Sequence, residues 1–127
     1  MSAPNSDVAQ ARKLWAKLGL GQEFYPMARF GTPSAYGKIF LTSSNKLMKV
    51  TAWTKNSKRE MKISKIASNA NIGPRVYNTR LWKPNSRDEA SMAIIRKLAP
   101  RRARDSLAVI TMDKVPRAKT LYNAINN

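Results

Sequence analysis

Two runs of alternating residues, separated by a short polar segment, predict a β-hairpin in the first half of the chain. Residues 38–42 and 47–53 have the composition of strands, and the Ser-Ser-Asn-Lys segment between them has the composition of a turn. Alternation along the second strand places Met48, Val50 and Ala52 on one face, and Leu47, Lys49 and Thr51 on the other. A hairpin followed by an amphipathic helix favours an antiparallel sheet with that helix packed on it.

Three segments around this hairpin have the spacing and the end signals of helices. The first covers residues 7–18, where Ser6 is the candidate N-cap and Asp7 suits the positive end of the helix. The other two begin at the capping-box patterns of residues 57–60 and 86–89, each with a serine followed three positions later by a glutamate. These patterns predict an N-terminal helix and two helices in the second half of the chain.

Residues 75–82 have the composition of a strand, the apolar run at residues 107–112 predicts a buried strand, and residues 120–127 could begin a last helix. The sequence contains no internal repeat and no low-complexity tract. The predicted fold is therefore α+β: a single domain over residues 1–127, with an antiparallel sheet of about five strands, a packed helix and an N-terminal helix.

The helix predicted over residues 57–70 carries an apolar stripe and a basic face. The stripe, which is expected to face the sheet, consists of Ile63, Ile66, Ala67 and Ala70. The opposing face is expected to be solvated and carries Lys58, Lys62 and Lys65. These lysines are candidates for contact with a polyanion or a partner.

The charge is the strongest compositional signal. Twenty-four Lys and Arg residues face seven Asp and Glu residues, which gives a net charge of +17. Nucleic acid, an acidic protein surface and anionic lipid are all suitable partners, and an assembly component neutralised by its neighbours is an equally good interpretation. A cluster beside Pro100 is the strongest candidate for such contacts; it consists of Arg101, Arg102 and Arg104.

The residue types that most catalytic and metal sites need are absent or scattered. The chain has no histidine and no cysteine, which removes the usual general base, the commonest metal ligand and any thiolate site. No apolar run is long enough for a membrane span, and residues 1–7 carry no signal pattern, so we expect no membrane span and no secretion. We expect no catalytic residue, no metal and no cofactor.

Between residues 31 and 125, the order of motifs resembles the N-terminal lobe of protein kinases, particularly the divergent kinases of large DNA viruses. Residues 31–40 resemble the glycine-rich loop over the ATP phosphates, Lys49 stands at the place of the phosphate-binding lysine, and Glu60 stands at the place of its helix partner. Residues 109–115 resemble the fifth strand and hinge. The resemblance implies a degenerate nucleotide site composed of Gly31, Ser34, Gly37, Lys49, Glu60 and Met112.

Several departures from the kinase pattern imply that catalysis is lost. Thr32 and Ser34 replace the first two glycines of the loop, and Leu47 would crowd the adenine pocket. Without histidine the chain has no His-Arg-Asp motif, and none of its three phenylalanines stands in an Asp-Phe-Gly motif. A plain alternative remains for the other positions: Lys49 is then a surface lysine, Glu60 completes the capping box, and Gly37 is a turn glycine.

The resemblance also implies that the underside of the lobe needs a cover, and the candidate interface residues are Leu121, Tyr122 and Ile125. We therefore expect a non-catalytic structural component of a larger assembly, such as a minor capsid or internal virion protein. It would have protein-subunit partners and be located in the virion or the host cytoplasm. The alternatives are a ribosomal or packaging protein that binds nucleic acid, and an ATP-binding regulatory fragment.

Overall fold

The structure is a computed structural model, and it describes residues 4–34, 37–100 and 105–114. Three α-helices, one short 3₁₀ helix and five strands lie in these ranges. In chain order they are α1 (Pro4–Leu18), the 3₁₀ helix (Gln22–Phe24), β1 (Pro26–Ser34), β2 (Gly37–Thr42), β3 (Lys46–Ala52), α2 (Lys55–Asn69), β4 (Val76–Trp82), α3 (Glu89–Leu98) and β5 (Leu107–Asp113).

The five strands form one antiparallel sheet in the order β1-β2-β3-β5-β4. Strand β5 is inserted between β3 and β4, and Val50 of β3 lies opposite Lys38 of β2 and Val109 of β5. The predicted α+β class, with about five antiparallel strands and an N-terminal helix, is confirmed. Helix α1 begins at Pro4, so the prediction that Ser6 caps it is wrong.

One face of the sheet carries the main core, which α1 and α3 cover. The alternation predicted for β3 is confirmed, because Met48, Val50 and Ala52 all point into this core. The partners from the helices and from β5 are aliphatic and almost fully buried; they include Leu14, Ile94, Ile95, Leu98, Leu107 and Val109. Each such side chain contributes about 1.5–3 kcal/mol by leaving water.

Helix α2 covers part of the opposite face through a much smaller cluster. Met61 packs on Ala108 and Ile110 of β5, and the half-buried neighbours Trp53, Val76 and Met112 surround this contact. The sheet therefore has α1 and α3 on one side and α2 on the other. None of the helices among the described residues is long and apolar enough to cross a membrane.

Helix α2 begins two residues earlier than predicted, and its capping box is a different one. Thr54 is extended, and its hydroxyl accepts a hydrogen bond from the backbone N–H of Ser57 at 3.1 Å. The Ser57 hydroxyl in turn accepts from the backbone N–H of Thr54 at 2.7 Å. Ser57 therefore closes the box as its third helical residue, and the predicted box that ended on Glu60 is wrong.

The predicted apolar stripe of α2 does not face the sheet. Ile63 and Ile66 are exposed, whereas Ser57, Met61 and Ser68 are buried. The rotation of the helix follows from polar contacts, because the Thr54–Ser57 box holds one end and Ser68 Oγ accepts from Val76 N at 3.0 Å near the other. The expected inward stripe of residues 63, 66, 67 and 70 is therefore wrong.

A left-handed asparagine ends α2. Asn71 has φ +61°, and the N–H groups of Asn71 and Ile72 donate to the carbonyls of Ser68 and Ala67, respectively. These two bonds form a Schellman motif, in which the carbonyls of the last turn find donors. The chain therefore passes from α2 towards β4 through a defined turn.

Helix α3 begins at Glu89 with Asp88 as its N-cap, so the predicted box that started at Ser86 is wrong. The Asp88 carboxylate accepts from the hydroxyl of Ser91 at 2.7 Å and from its backbone N–H at 3.4 Å. These hydrogen bonds, chiefly the one from the hydroxyl, lower the pKa of Asp88 below its ordinary value. The charged carboxylate is therefore part of the folded cap.

Candidate cationic interface and the Lys49–Glu60 pair

An ion pair joins the third strand of the sheet to α2. Lys49 Nζ donates to Glu60 Oε1, and both side chains are partly exposed. Lys49 lies opposite Ile39 of β2 and Ile110 of β5, so its side chain is on the face of the sheet that α2 partly covers. Because the true capping box leaves Glu60 unused, its carboxylate is available for this pair. Lys49 is at a partly exposed strand position, as the plain interpretation had it, but it is paired with Glu60.

The other positions of the expected nucleotide site lie on either side of this pair. Gly37 and Ser34 are register partners at the β1–β2 end of the sheet, and Gly31 of β1 has φ +77°. Met112 of β5 lies opposite Leu47, near the start of β3, whereas Gly37 lies opposite Thr51, near the end of β3. The structure therefore brings Lys49, Glu60 and Met112 to one face of the sheet, with the glycines at its margin.

Gly37 has a structural role that the turn interpretation missed. It is the first residue of β2 and lies opposite Thr51, so it belongs to the sheet rather than to a turn. A Cβ at this position would lie 2.2 Å from the carbonyl oxygen of Val50 and 2.8 Å from the Cα of Thr51. Glycine is required here because the backbones of β2 and β3 approach too closely for a side chain.

Most of the few acidic side chains are already paired within the domain. Asp7, Glu60, Asp88, Asp105 and Asp113 each lie within ion-pair distance of a lysine or an arginine. These five are most of the seven acidic residues in the chain, whereas the chain contains 24 basic residues. The internal pairs therefore leave a large excess of uncompensated positive charge for the surface.

Part of that excess lies on α2. Five of its side chains are basic and exposed: Lys55, Lys58, Arg59, Lys62 and Lys65. Within the described part of the chain none of them forms an ion pair, and the only acidic residue of the helix, Glu60, is engaged by Lys49. The predicted exposure of Lys58, Lys62 and Lys65 is confirmed.

Two isoleucines share this exposed side with the basic residues. Ile63 is 57% exposed and Ile66 is 58% exposed, although both were expected in the core. The Thr54-x-x-Ser57 pattern marks the start of the helix, but the direction of the isoleucines depends on contacts with β4 that helical spacing does not report. The α2 outer face is defined here as Lys55, Lys58, Arg59, Lys62, Ile63, Lys65 and Ile66.

A polar cavity of about 270 Å³ lies between the end of α2 and strand β4. Asn78 on its wall donates from Nδ2 to the Thr111 hydroxyl at 3.0 Å, and Ser68 accepts from the Val76 N–H. The lining consists of Lys65, Ser68, Asn69, Val76, Tyr77, Asn78 and Thr79. The hydrogen bond of Ser68 joins α2 to β4, and that of Asn78 joins β4 to β5. Both polar side chains on the cavity wall therefore have a structural role.

The remaining predicted contact residues lie outside the described residues. They are Arg101, Arg102 and Arg104 of the arginine cluster, and Leu121, Tyr122 and Ile125 of the expected interface. Among the described residues, no group of three acidic side chains is placed to hold a metal ion.

Comparison with known proteins gives no relative for this chain. No protein-family model matches it, and no curated protein and no solved structure shows significant similarity to it.

Proposed function

We propose that this protein is a non-catalytic, basic structural component of a larger assembly, with acidic protein subunits as its partners. The observation that carries the proposal is the set of five exposed basic side chains on α2, which have no acidic counterpart among the described residues. On this proposal the body of the domain is a degenerate kinase-like N-terminal lobe. A minor capsid or internal virion protein, in the virion or the host cytoplasm, fits this description.

The electrostatic argument concerns the net charge of the folded domain. A charge of +17 on 127 residues repels itself, and salt screens exposed charges only beyond about 8 Å at physiological ionic strength. Carboxylates or phosphates of a neighbour relieve this repulsion, whereas the domain's own acidic groups are mostly engaged already. A polyanionic neighbour therefore stabilises the folded chain.

The kinase-like part of the proposal draws support from the Lys49–Glu60 pair, which the resemblance implied. Loss of catalysis draws support from the sequence, which has no histidine and no Asp-Phe-Gly motif. The buried position of Leu47, on the same face of the sheet as Lys49, adds a bulky side chain where the resemblance places the adenine.

The same ion pair favours a second candidate function, an ATP-binding regulatory domain. A lysine held by a glutamate is the arrangement that would receive ATP phosphates in the kinase interpretation. The two candidates differ in one observable, since only the second requires saturable binding of nucleotide. The calorimetric experiment in the Discussion separates them.

Co-sedimentation with large particles from source material tests the proposed assembly role. At low salt we expect the tagged full-length chain to sediment with the particles, and rising salt should release it because charged contacts are screened. Treatment with nuclease beforehand should leave the association intact if the partner is protein. A chain that stays in the slowly sedimenting fraction, or that nuclease releases, contradicts the proposal, and the second result favours a nucleic-acid-binding protein.

A further inference from the structure

The isoleucines of α2 face away from its own sheet. Its buried side consists of Ser57, Met61 and Ser68, two of which are small and polar. Its two isoleucines, which are the largest aliphatic side chains of the helix besides Met61, are each more than half exposed. These two neighbouring isoleucines therefore form an exposed apolar patch on the helix.

The isoleucines and the basic side chains are interleaved on one surface. At about 100° per residue, Arg59 and Lys62 point within about 40° of the direction of Ile66. Ile63 lies three residues before Ile66 and therefore beside it on the helix. The α2 outer face thus places Ile66 among the basic side chains and Ile63 at the edge of that basic surface.

This arrangement fits a protein partner better than it fits nucleic acid. Protein interfaces have an apolar centre that becomes dry and a polar rim, whereas nucleic-acid interfaces are more polar and wet throughout. Binding to phosphates would use the lysines and leave Ile63 and Ile66 in water. The outer face also lacks the aromatic and leucine side chains that anchor most interfacial helices in a bilayer.

We infer that the α2 outer face docks an acidic amphipathic segment of a partner protein, with apolar side chains on Ile63 and Ile66 and carboxylates on the surrounding lysines and Arg59. The inference rests on the proposed function and specifies the surface and the chemistry of the partner. Charge complementarity favours an acidic partner segment, because the face carries five positive charges. The only acidic residue of the helix, Glu60, is paired with Lys49. The two isoleucines fix the orientation of the segment, and the charges raise its association rate.

Fluorescence anisotropy with defined probes tests the inference on the full-length chain. The first probe is a synthetic helix of about 20 residues with a leucine stripe flanked by glutamates. Two matched peptides replace either the leucines or the glutamates by glutamine. A single-stranded oligonucleotide and phosphatidylserine vesicles represent the other partner classes. We expect the acidic leucine peptide to bind about tenfold or more tightly than either matched peptide.

Variants then assign this binding to the α2 outer face. Ile63→Ser with Ile66→Ser should remove the advantage of the leucine peptide over its glutamine counterpart, a loss of about tenfold. Lys58→Gln with Lys62→Gln should remove the advantage conferred by the glutamates. The matched controls are Leu81→Thr on β4 and Lys13→Gln on α1, which alter an exposed apolar and an exposed basic residue elsewhere.

The outcomes separate this inference from the proposed function. Equal binding of all three peptides, absence of binding, or binding that the isoleucine variants leave unchanged overturns the α2 docking surface. Preference for the oligonucleotide or the vesicles also overturns it, in favour of that partner class. If the chain nevertheless sediments with particles in a nuclease-resistant and salt-dependent manner, the assembly role stands and only the surface is wrong.

Discussion

Asp7 and Lys38 form a buried ion pair that joins the N-terminal helix to the second strand of the sheet. Lys38 Nζ lies 3.2 Å from Asp7 Oδ1 and also donates to the carbonyl oxygen of Lys97 at 2.8 Å. Arg29 Nη1 lies 2.8 Å from the second carboxylate oxygen. The fully buried carboxylate of Asp7 therefore holds α1 to two strands, and Lys38 extends the connection to the end of α3.

Removal of this carboxylate should destabilise the whole domain. In Asp7→Ala, Lys38 is left largely buried without its counter-charge, and breaking such a pair costs about 3–5 kcal/mol. Urea unfolding followed by tryptophan fluorescence measures the loss. Glu23→Ala is the control, because Glu23 is exposed and its replacement should change the unfolding free energy by about 0.5 kcal/mol or less. Similar losses in the two variants would refute the structural role of Asp7.

Gly37→Ala should destabilise the β2–β3 pairing. The new methyl group would overlap the carbonyl oxygen of Val50, so one strand must move, and overpacking of this kind costs about 1–3 kcal/mol. Gly21→Ala is the matched control, because its Cβ would meet only the side chain of Glu23, at 3.4 Å. Thermal unfolding by circular dichroism should show a clear drop in Tm for the first variant alone. A Gly37→Ala protein as stable as the native chain would contradict the close approach.

The cap of α3 predicts one component of the acid sensitivity of the domain. Hydrogen bonds from Ser91 lower the pKa of Asp88 in the folded state, so the unfolded chain binds this proton more readily. The contribution of Asp88 to stability is fully present above the ordinary carboxyl pKa of about 4. It is lost as the pH falls through the lowered pKa of Asp88 in the folded state. In Asp88→Asn, unfolding free energy measured from about pH 6 to about pH 2 should fall less steeply than in the native chain. Parallel curves would exclude this contribution.

Sequence patterns located four of the five strands well, because alternation and turn composition are local signals. The strands predicted at residues 38–42, 47–53, 75–82 and 107–112 differ from the observed bounds by only a residue or so. The face of α2 was wrong because its orientation depends on contacts with β4 that are distant in the sequence. Ser68 is buried since it accepts a hydrogen bond from Val76, and no periodicity in the helix reports that partner.

The candidate site was predictable only in parts. Lys58, Lys62 and Lys65 are exposed as the helical spacing indicated. The proximity of Lys49 and Glu60 was implied by the kinase resemblance and not by spacing, since the two residues lie on different elements. The exposed Ile63 and Ile66 went unnoticed because a sequence pattern identifies an apolar stripe without saying whether the chain itself covers it.

Titration calorimetry with Mg-ATP tests whether the lysine–glutamate pair still serves a nucleotide. We expect no saturable heat at millimolar nucleotide, because Leu47 and the non-glycine residues of the β1–β2 segment disfavour the bound ligand. Lys49→Met should leave the titration unchanged and should cost at most about 1 kcal/mol of stability, since the pair is partly exposed. A micromolar Kd that Lys49→Met abolishes would favour the ATP-binding regulatory function instead.

The most direct test of the central claim is zero-length carbodiimide cross-linking of the chain in its native surroundings, followed by mass spectrometry. This chemistry joins a lysine amine to a carboxylate only when the two are already in contact. We expect Lys58, Lys62 and Lys65 to be linked to Asp or Glu residues of another protein, with Lys13 on α1 as the exposed comparison. Links from the α2 lysines to this chain alone, or their protection by nucleic acid that nuclease reverses, would contradict the account.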